Sequence, residues 1–302
     1  MRRILLTGAS GFVGRHLASA LVAGGFEVVA CARAAPRPAG VDVRIIEDIA
    51  SADWALLLAG VDAIVHAAGL AHTRGVAEAD YERVNTQATL RLAAQAAGRV
   101  GRLVFLSSIR AMAGPVAPGP SVRPAAPSDA YGRSKLKAEE GLAKLGLPSV
   151  SLRPVVVYGE WVKGNLARLQ RLADSALPLP FASLRQPRSF LSIDNLVGAI
   201  LFALEERGTG AQTFLVADPA PSSIADLIAG LREGLGRGAN LYPCPPGLLG
   251  AAARLAGQGE SWRTMAGPMA VSVDRLLGAG WSPAVATSRE GARRWGRAAK
   301  GR

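Results

Sequence analysis

The chain alternates short apolar runs with segments whose apolar residues recur every three or four positions. Arg3-Ile4-Leu5-Leu6-Thr7 reads as a buried strand, Gly8 to Gly14 interrupts it, and Arg15 to Val22 has helical spacing. Further strands are predicted at 27–32, 43–46, 61–66, 102–106 and 149–153, with long helices over 78–97 and 129–145. These strands are too apolar to keep one face in water. Helices between them predict an α/β fold, a doubly wound parallel sheet covered on both sides. After Tyr158-Gly159 the rhythm changes. Helices are predicted near 164–175, 194–206, 222–235, 247–256 and 273–278, with a strand at 213–216. The expected division is therefore residues 1–158 and residues 159–302. The second part is smaller and mostly helical, with segments returning to the sheet.

Composition narrows the class. Of 302 residues, 49% are hydrophobic and 19% charged, which predicts a packed core. Cys31 and Cys244 make no disulfide framework, and Cys31, in a predicted strand, reads as a small core residue. A reducing cytoplasm is the expected location. The first apolar run is too short for a secretory leader, and no run reaches the length of a membrane span. The net charge is +12, and residues 289–302 carry six positive charges against one negative. A chain this basic could bind nucleic acid, an anionic membrane or a small anionic substrate, and the segment itself reads equally as a solvated basic tail. Aromatic residues are only 5%, too few for a platform on which bases stack, so no nucleic-acid partner is expected. His66 is expected to bond backbone at a strand end. No histidine or cysteine stands at metal-ligand spacing from it, and no metal is expected.

Candidate chemistry begins at the glycine turn. Gly8 permits a tight turn, Gly11 lets backbone approach a pyrophosphate, and Gly14 lets the helix pack on the strand. Ser10, Phe12 and Val13 lie in the same turn and are counted with it as cofactor-binding. The helix start adds free N–H groups and a partial positive charge. Arg33 ends the second strand, where an acid would bond a ribose 2′-hydroxyl. Arginine instead favours the 2′-phosphate of NADP, with NAD possible, and Arg37 is a second phosphate candidate. Proline-rich residues 113–128 form a long loop of the functional or lid-like kind. Tyr131 and Lys135 are four apart on a predicted helix and share a face. The ammonium is expected to favour tyrosinate, lowering the phenol pKa for proton transfer. Ser107 or Ser108, at the fifth strand's end, would hold a substrate oxygen beside that phenol.

In order, Thr7-Gly8-Ala9-Ser10-Gly11-Phe12-Val13-Gly14, Glu47-Asp48-Ile49, Val65-His66-Ala67-Ala68, Val84-Asn85-Thr86, Phe105-Leu106-Ser107-Ser108, Tyr131-Gly132-Arg133-Ser134-Lys135, Leu152-Arg153-Pro154 and Val157-Tyr158-Gly159 resemble the extended short-chain dehydrogenase/reductases, the NAD-dependent epimerase/dehydratase group. The resemblance implies a Rossmann-type nucleotide domain and a catalytic trio of Ser108, Tyr131 and Lys135. Asp48 and Ile49 would touch adenine, Ala67 and Ala68 line the cofactor cleft, and Pro154 lie near the nicotinamide. In the second half, Val162 to Leu166 and Arg188 to Leu196 are similar to the branch acting on UDP-sugars. That similarity gives Asn165 and Arg188 the nucleotide diphosphate. It implies first the NADPH-dependent reduction of a UDP-4-keto-6-deoxy-hexosamine, and second a UDP-hexose 4-epimerase that retains NAD. A non-catalytic NADP-responsive binding protein is the third reading. The family also implies a homodimer formed through the helices at 78–97 and 129–145.

Overall fold

The computed structural model describes residues 2–33, 40–71, 75–112, 127–206, 208, 210–259, 262 and 269–301. Strand β1 (Arg3–Thr7) feeds helix α1 (Phe12–Ala23), followed by β2 (Glu27–Ala32) and β3 (Val41–Ile45). The short α2 (Trp54–Leu57) precedes β4 (Ala63–His66). Helix α3 (Glu78–Tyr81), a π-helical turn (Glu82–Gln87) and α4 (Ala88–Ala96) then follow without a break. Strand β5 (Arg102–Leu106) ends in a 3-10 turn (Ile109–Ala111), and α5 (Ala130–Lys144) leads to β6 (Ser149–Pro154). The rest contains β7 (Val156–Tyr158), α6 (Gly164–Ala173), β8 (Phe190–Ser192), α7 (Ile193–Glu205), β9 (Ala211–Val216), α8 (Ile224–Gly234), α9 (Pro246–Leu255), α10 (Asp274–Gly278) and α11 (Ser288–Lys300).

Seven strands form one parallel sheet in the order β3-β2-β1-β4-β5-β6-β9. The chain steps outward from β1 to β3, then returns to β4 on the other side of β1. That reversal opens a crevice at the carboxyl ends of β1 and β4, the place where such sheets bind ligands. This is the doubly wound sheet that the apolar runs predict, and β9 is the later strand that rejoins it. Strand β3 starts two residues before its expected position. It is the sheet's edge, half-exposed, so its apolar signal is weak. Strands β7 and β8 pair apart from the main sheet. Leu17, Leu21 and Ile200 pack on one face of the sheet, and Trp54, Leu92 and Leu142 on the other. Cys31 is buried in β2, and burial pushes its thiol up to about 12, which suits a core residue. Among the described residues no helix is long and apolar enough to cross a membrane.

The basic segment that reads equally as a solvated tail is helix α11 as far as Lys300. It buries Gly291, Ala292, Trp295 and Gly296. A Cβ on Gly230 or Gly234 of α8 would stand 2.3 or 2.2 Å from the carbonyls of Arg289 or Arg293, so the two helices meet almost backbone to backbone. Arg289 and Arg293 turn outward to Glu233. The small residues at the contact carry little hydrophobic signal, and the arginines mask the rest.

Candidate functional site

The predicted residues gather along the carboxyl edge of the sheet. Gly8 has φ +76°, and a Cβ there would lie 2.7 Å from the Ala68 nitrogen. A Cβ on Gly14 would lie 2.2 Å from the Gly8 carbonyl, so α1 sits directly on the turn. Gly11 caps α1, yet no side chain bonds the helix's first N–H groups and no acid lies in its first turn. That arrangement fits a dinucleotide pyrophosphate: exposed backbone donors in a cradle that side chains would fill. Ser10 and Phe12 flank Gly11, and Arg33 stands exposed just beyond β2. Asp48 accepts from the Ala50 amide at 2.9 Å and from Arg83 at 2.5 Å, which together hold its carboxyl below the usual range. Ile49 is partly buried against the cluster that holds Trp54 and Leu92. Arg37 and residues 113–126 lie outside the described residues.

Deeper in the crevice, a cavity of about 280 Å³ is lined by Val13, Ala67, Ser107, Ser108, Tyr131, Lys135 and Pro154, with Gly69 and Leu106 between them. Asp129 caps α5 by accepting the Gly132 N–H at 2.8 Å, which fixes where the tyrosine and lysine turns begin. Tyr131 is half-buried, with Tyr81 edge-on at 5.8 Å. Its phenol is hydrogen-bonded to Ser108. Ser107 donates instead to Glu139, whose carboxylate Arg153 grips at 3.0 and 2.5 Å. Both serines line the cavity, but their hydroxyls take different partners: Ser108 bonds the phenol and Ser107 the buried Glu139–Arg153 pair. Lys135 donates to the Leu106 carbonyl at 2.9 Å and lies 4.6 Å above the Phe105 ring. Burial brings its ammonium down to about 8, against the opposing pull of Glu139.

The expected depression of the Tyr131 pKa is not found in this arrangement. Burial raises it, and the Ser108 hydrogen bond and the Arg110 charge offset only part of that. The Lys135 ammonium is spent on a carbonyl and an aromatic face. The phenol is thus held protonated at neutral pH, ready to give a proton.

Two supports were not singled out from the sequence. Asn85, fully buried in the π-helical turn, accepts from the Leu70 amide at 2.8 Å and donates to the Leu70 carbonyl and to Ser134 Oγ. It ties the loop after β4 to the helix bearing Tyr131 and Lys135. Such turns recur at functional sites, and only the Val84-Asn85-Thr86 motif hinted at this one. Tyr81 left no signal beyond helical periodicity.

His66 bonds side chains, not the backbone. Its Nδ1 is 2.8 Å from Thr7 Oγ1 and its Nε2 is 2.9 Å from Thr89 Oγ1. Thr89 donates to the Asn85 carbonyl and so accepts from Nε2–H, while Thr7 accepts from the Ala68 amide and donates to Nδ1. The ring is neutral, and burial, with the Lys135 charge second, takes its pKa down to about 3. The folded state therefore binds this proton less well than the unfolded state, whose value is near 6.5. Stability from His66 is complete above that value and falls as pH drops toward 3, by up to about 1.4 kcal/mol per unit. Urea unfolding at pH 7 and pH 5 is expected to show a steeper loss for the wild type than for His66→Asn. Equal losses would mean the ring is not buried neutral.

Asn165 and Arg188 are not brought to this cavity. Asn165 is exposed near the start of α6, whose cap is the backbone of Lys163. Arg188 is buried, exchanging backbone hydrogen bonds with Ser222, and its guanidinium lies 6.0 Å from the Phe190 ring centre. Among the described residues no three His, Cys, Asp or Glu side chains cluster as metal ligands would.

Residues 4–217 match the model of the NAD dependent epimerase/dehydratase family. A UDP-glucose 4-epimerase of Vibrio cholerae is 34% identical over 298 residues, covering 93% of this chain and 91% of that protein. Among solved structures, the UDP-glucuronic acid 4-epimerase from Bacillus cereus in complex with NAD superposes with a TM-score of 0.75 at 20% identity, covering 96% of this chain and 94% of that one. The human epimerase family protein SDR39U1 with NADPH gives 0.71 at 21%, covering 97% and 99%. At those identities the two structures speak to the fold alone.

Proposed function

The chain belongs to the NAD dependent epimerase/dehydratase family, and from that membership we propose that it carries out oxidoreduction at C4 of a UDP-sugar. The observation that carries this reading is the cleft itself. Tyr131, its bonded Ser108 and Lys135 converge beside an uncapped helix start at one sheet edge. When bound, the nicotinamide accepts or returns a hydride at the sugar carbon. Tyr131 gives or takes the proton on the C4 oxygen, and Ser108 hydrogen-bonds that oxygen. Lys135 keeps a positive charge in the cleft, anchored on the Leu106 carbonyl. The Gly8–Gly14 turn and the first N–H groups of α1 hold the pyrophosphate. Asn165 and Arg188 are assigned to the UDP diphosphate. Residues 1–158 serve the cofactor and 159–302 the sugar nucleotide.

Between the two reactions, 4-epimerisation is the better supported, because the Vibrio relative of that name spans nearly the whole chain. Reduction of a UDP-4-keto-6-deoxy-hexosamine is the second reading. Arg33 favours it, since an arginine at the end of β2 suits NADP, and net reduction consumes reduced cofactor. Incubation with UDP-glucose, UDP-galactose and their N-acetylated forms, without added cofactor, separates them. Epimer formation supports the first. NADPH oxidation that requires a 4-keto sugar supports the second, and no turnover in either assay removes the UDP-sugar reading. Arg33→Ser is expected to weaken NADPH relative to NADH by at least about tenfold, through loss of a charge-assisted phosphate contact. Fluorescence titration of both nucleotides reads the ratio, and an unchanged ratio rejects the NADP assignment.

A further inference from the structure

Helix α9 has an unusual composition for its position. Its ten residues, Pro246–Leu255, include one polar side chain, Arg254, and only Gly250 is buried. A helix apolar on every side normally lies inside a core or a lipid phase. Here Leu248 and Leu255, two turns apart on one face, are 63% and 91% exposed, and Ala252 between them is exposed as well. Leu249 of α9 packs into the same cluster as Leu179 and Leu241, beside which further apolar side chains are exposed. Exposed Tyr242 donates its N–H to Leu179, two residues from exposed Leu177. Beside α9 lies a cavity of about 480 Å³ lined by Pro246, Gly247, Gly250, Arg254, Gly259 and Trp262.

Charge identifies the occupant. Arg237 is paired with Asp174 at 3.1 Å, Arg254 lies on α9 itself, and the whole chain carries +12. A second copy would bring a like net charge against this one. Exposed leucines with an arginine among them suit a sheet of anionic headgroups over hydrocarbon. We propose that this face, α9 with Tyr242 and Leu177, docks on an anionic lipid bilayer. Leu248 and Leu255 enter the boundary between headgroups and acyl chains, and Arg254 meets lipid phosphates. The inference does not depend on which sugar reaction the cleft performs.

Co-sedimentation of the full chain with vesicles tests it. Phosphatidylcholine vesicles containing about 30% phosphatidylglycerol are expected to pellet the protein, pure phosphatidylcholine far less, and high salt to release it. Leu248→Glu/Leu255→Glu, both at exposed positions, is expected to weaken partitioning at least about tenfold with an unchanged melting temperature. Arg254→Glu, which keeps both leucines, is expected to bind several-fold more weakly to the anionic vesicles only. The proposal is overturned if the wild type pellets with neither vesicle or the double-glutamate variant partitions like the wild type. It is equally overturned if light scattering shows that this variant loses a subunit, because the face then joins two copies of the chain.

Discussion

Tyr131→Phe is expected to lower kcat by about a thousandfold while leaving NAD(P) affinity within a factor of about two. The substitution removes one oxygen. The ring keeps its edge contact with Tyr81, and Lys135 keeps its bond to the Leu106 carbonyl. What disappears is the proton carrier and its hydrogen bond to Ser108. The rate should therefore fall with little change in KM, which marks a group needed in the transition state rather than for binding. Single-turnover absorbance at the reduced-nicotinamide band, with the UDP-sugar that gives product, measures the loss. A variant retaining more than about a tenth of the rate would place the proton on another group. The pH profile adds a second reading. With Lys135 at about 8, its ammonium is lost as pH rises through that value, and the wild-type rate is expected to fall there. Because burial holds the Tyr131 phenol above its ordinary value, the direction that donates a proton to the sugar oxygen starts from the correct protonation state without further change.

The elements that a sequence reader finds first are those whose physics is local. Apolar runs long enough to be buried on both faces mark β1, β2, β4, β5 and β6, and those strands lie within two residues of their expected places. Gly8 and Gly14 are legible because only glycine tolerates the close approaches of 2.7 and 2.2 Å found there. The helical phase of Tyr131 and Lys135 is likewise set by four residues of chain. What stays hidden depends on partners distant in sequence. Nothing at Ser107-Ser108 says which hydroxyl bonds the phenol, because the choice rests on Glu139, which lies 32 residues from Ser107. His66 could be read as bonding backbone only because Thr7 and Thr89, its real partners, lie 59 and 23 residues away. Helix α11 was obscured by its own arginines, since its buried stripe is largely glycine and alanine and is recognisable only against Gly230 and Gly234 of α8.

The same distant partners predict the largest stability effect, at Arg153. Arg153→Met is expected to destabilise the fold by roughly 3–5 kcal/mol, a large share of the few to fifteen that domains of this kind possess. Glu139 and Arg153 are 8% and 6% exposed, and the guanidinium grips both carboxylate oxygens. Methionine fills much of the volume but, among the described residues, leaves Glu139 with the Ser107 hydroxyl as its side-chain donor. The cost comes from that stranded charge, not from a lost attraction, and this distinction can be measured. If it holds, Glu139→Met/Arg153→Met should recover most of the stability in urea unfolding, because neither charge then needs solvation. If the double variant is as unstable as the single one, the arginine acts through its packing between β6 and α5 and not through its charge. The double variant also separates stability from chemistry. It frees Ser107 from its carboxylate, so a stable protein with a lowered kcat would mean that the buried pair keeps the two hydroxyls on different partners.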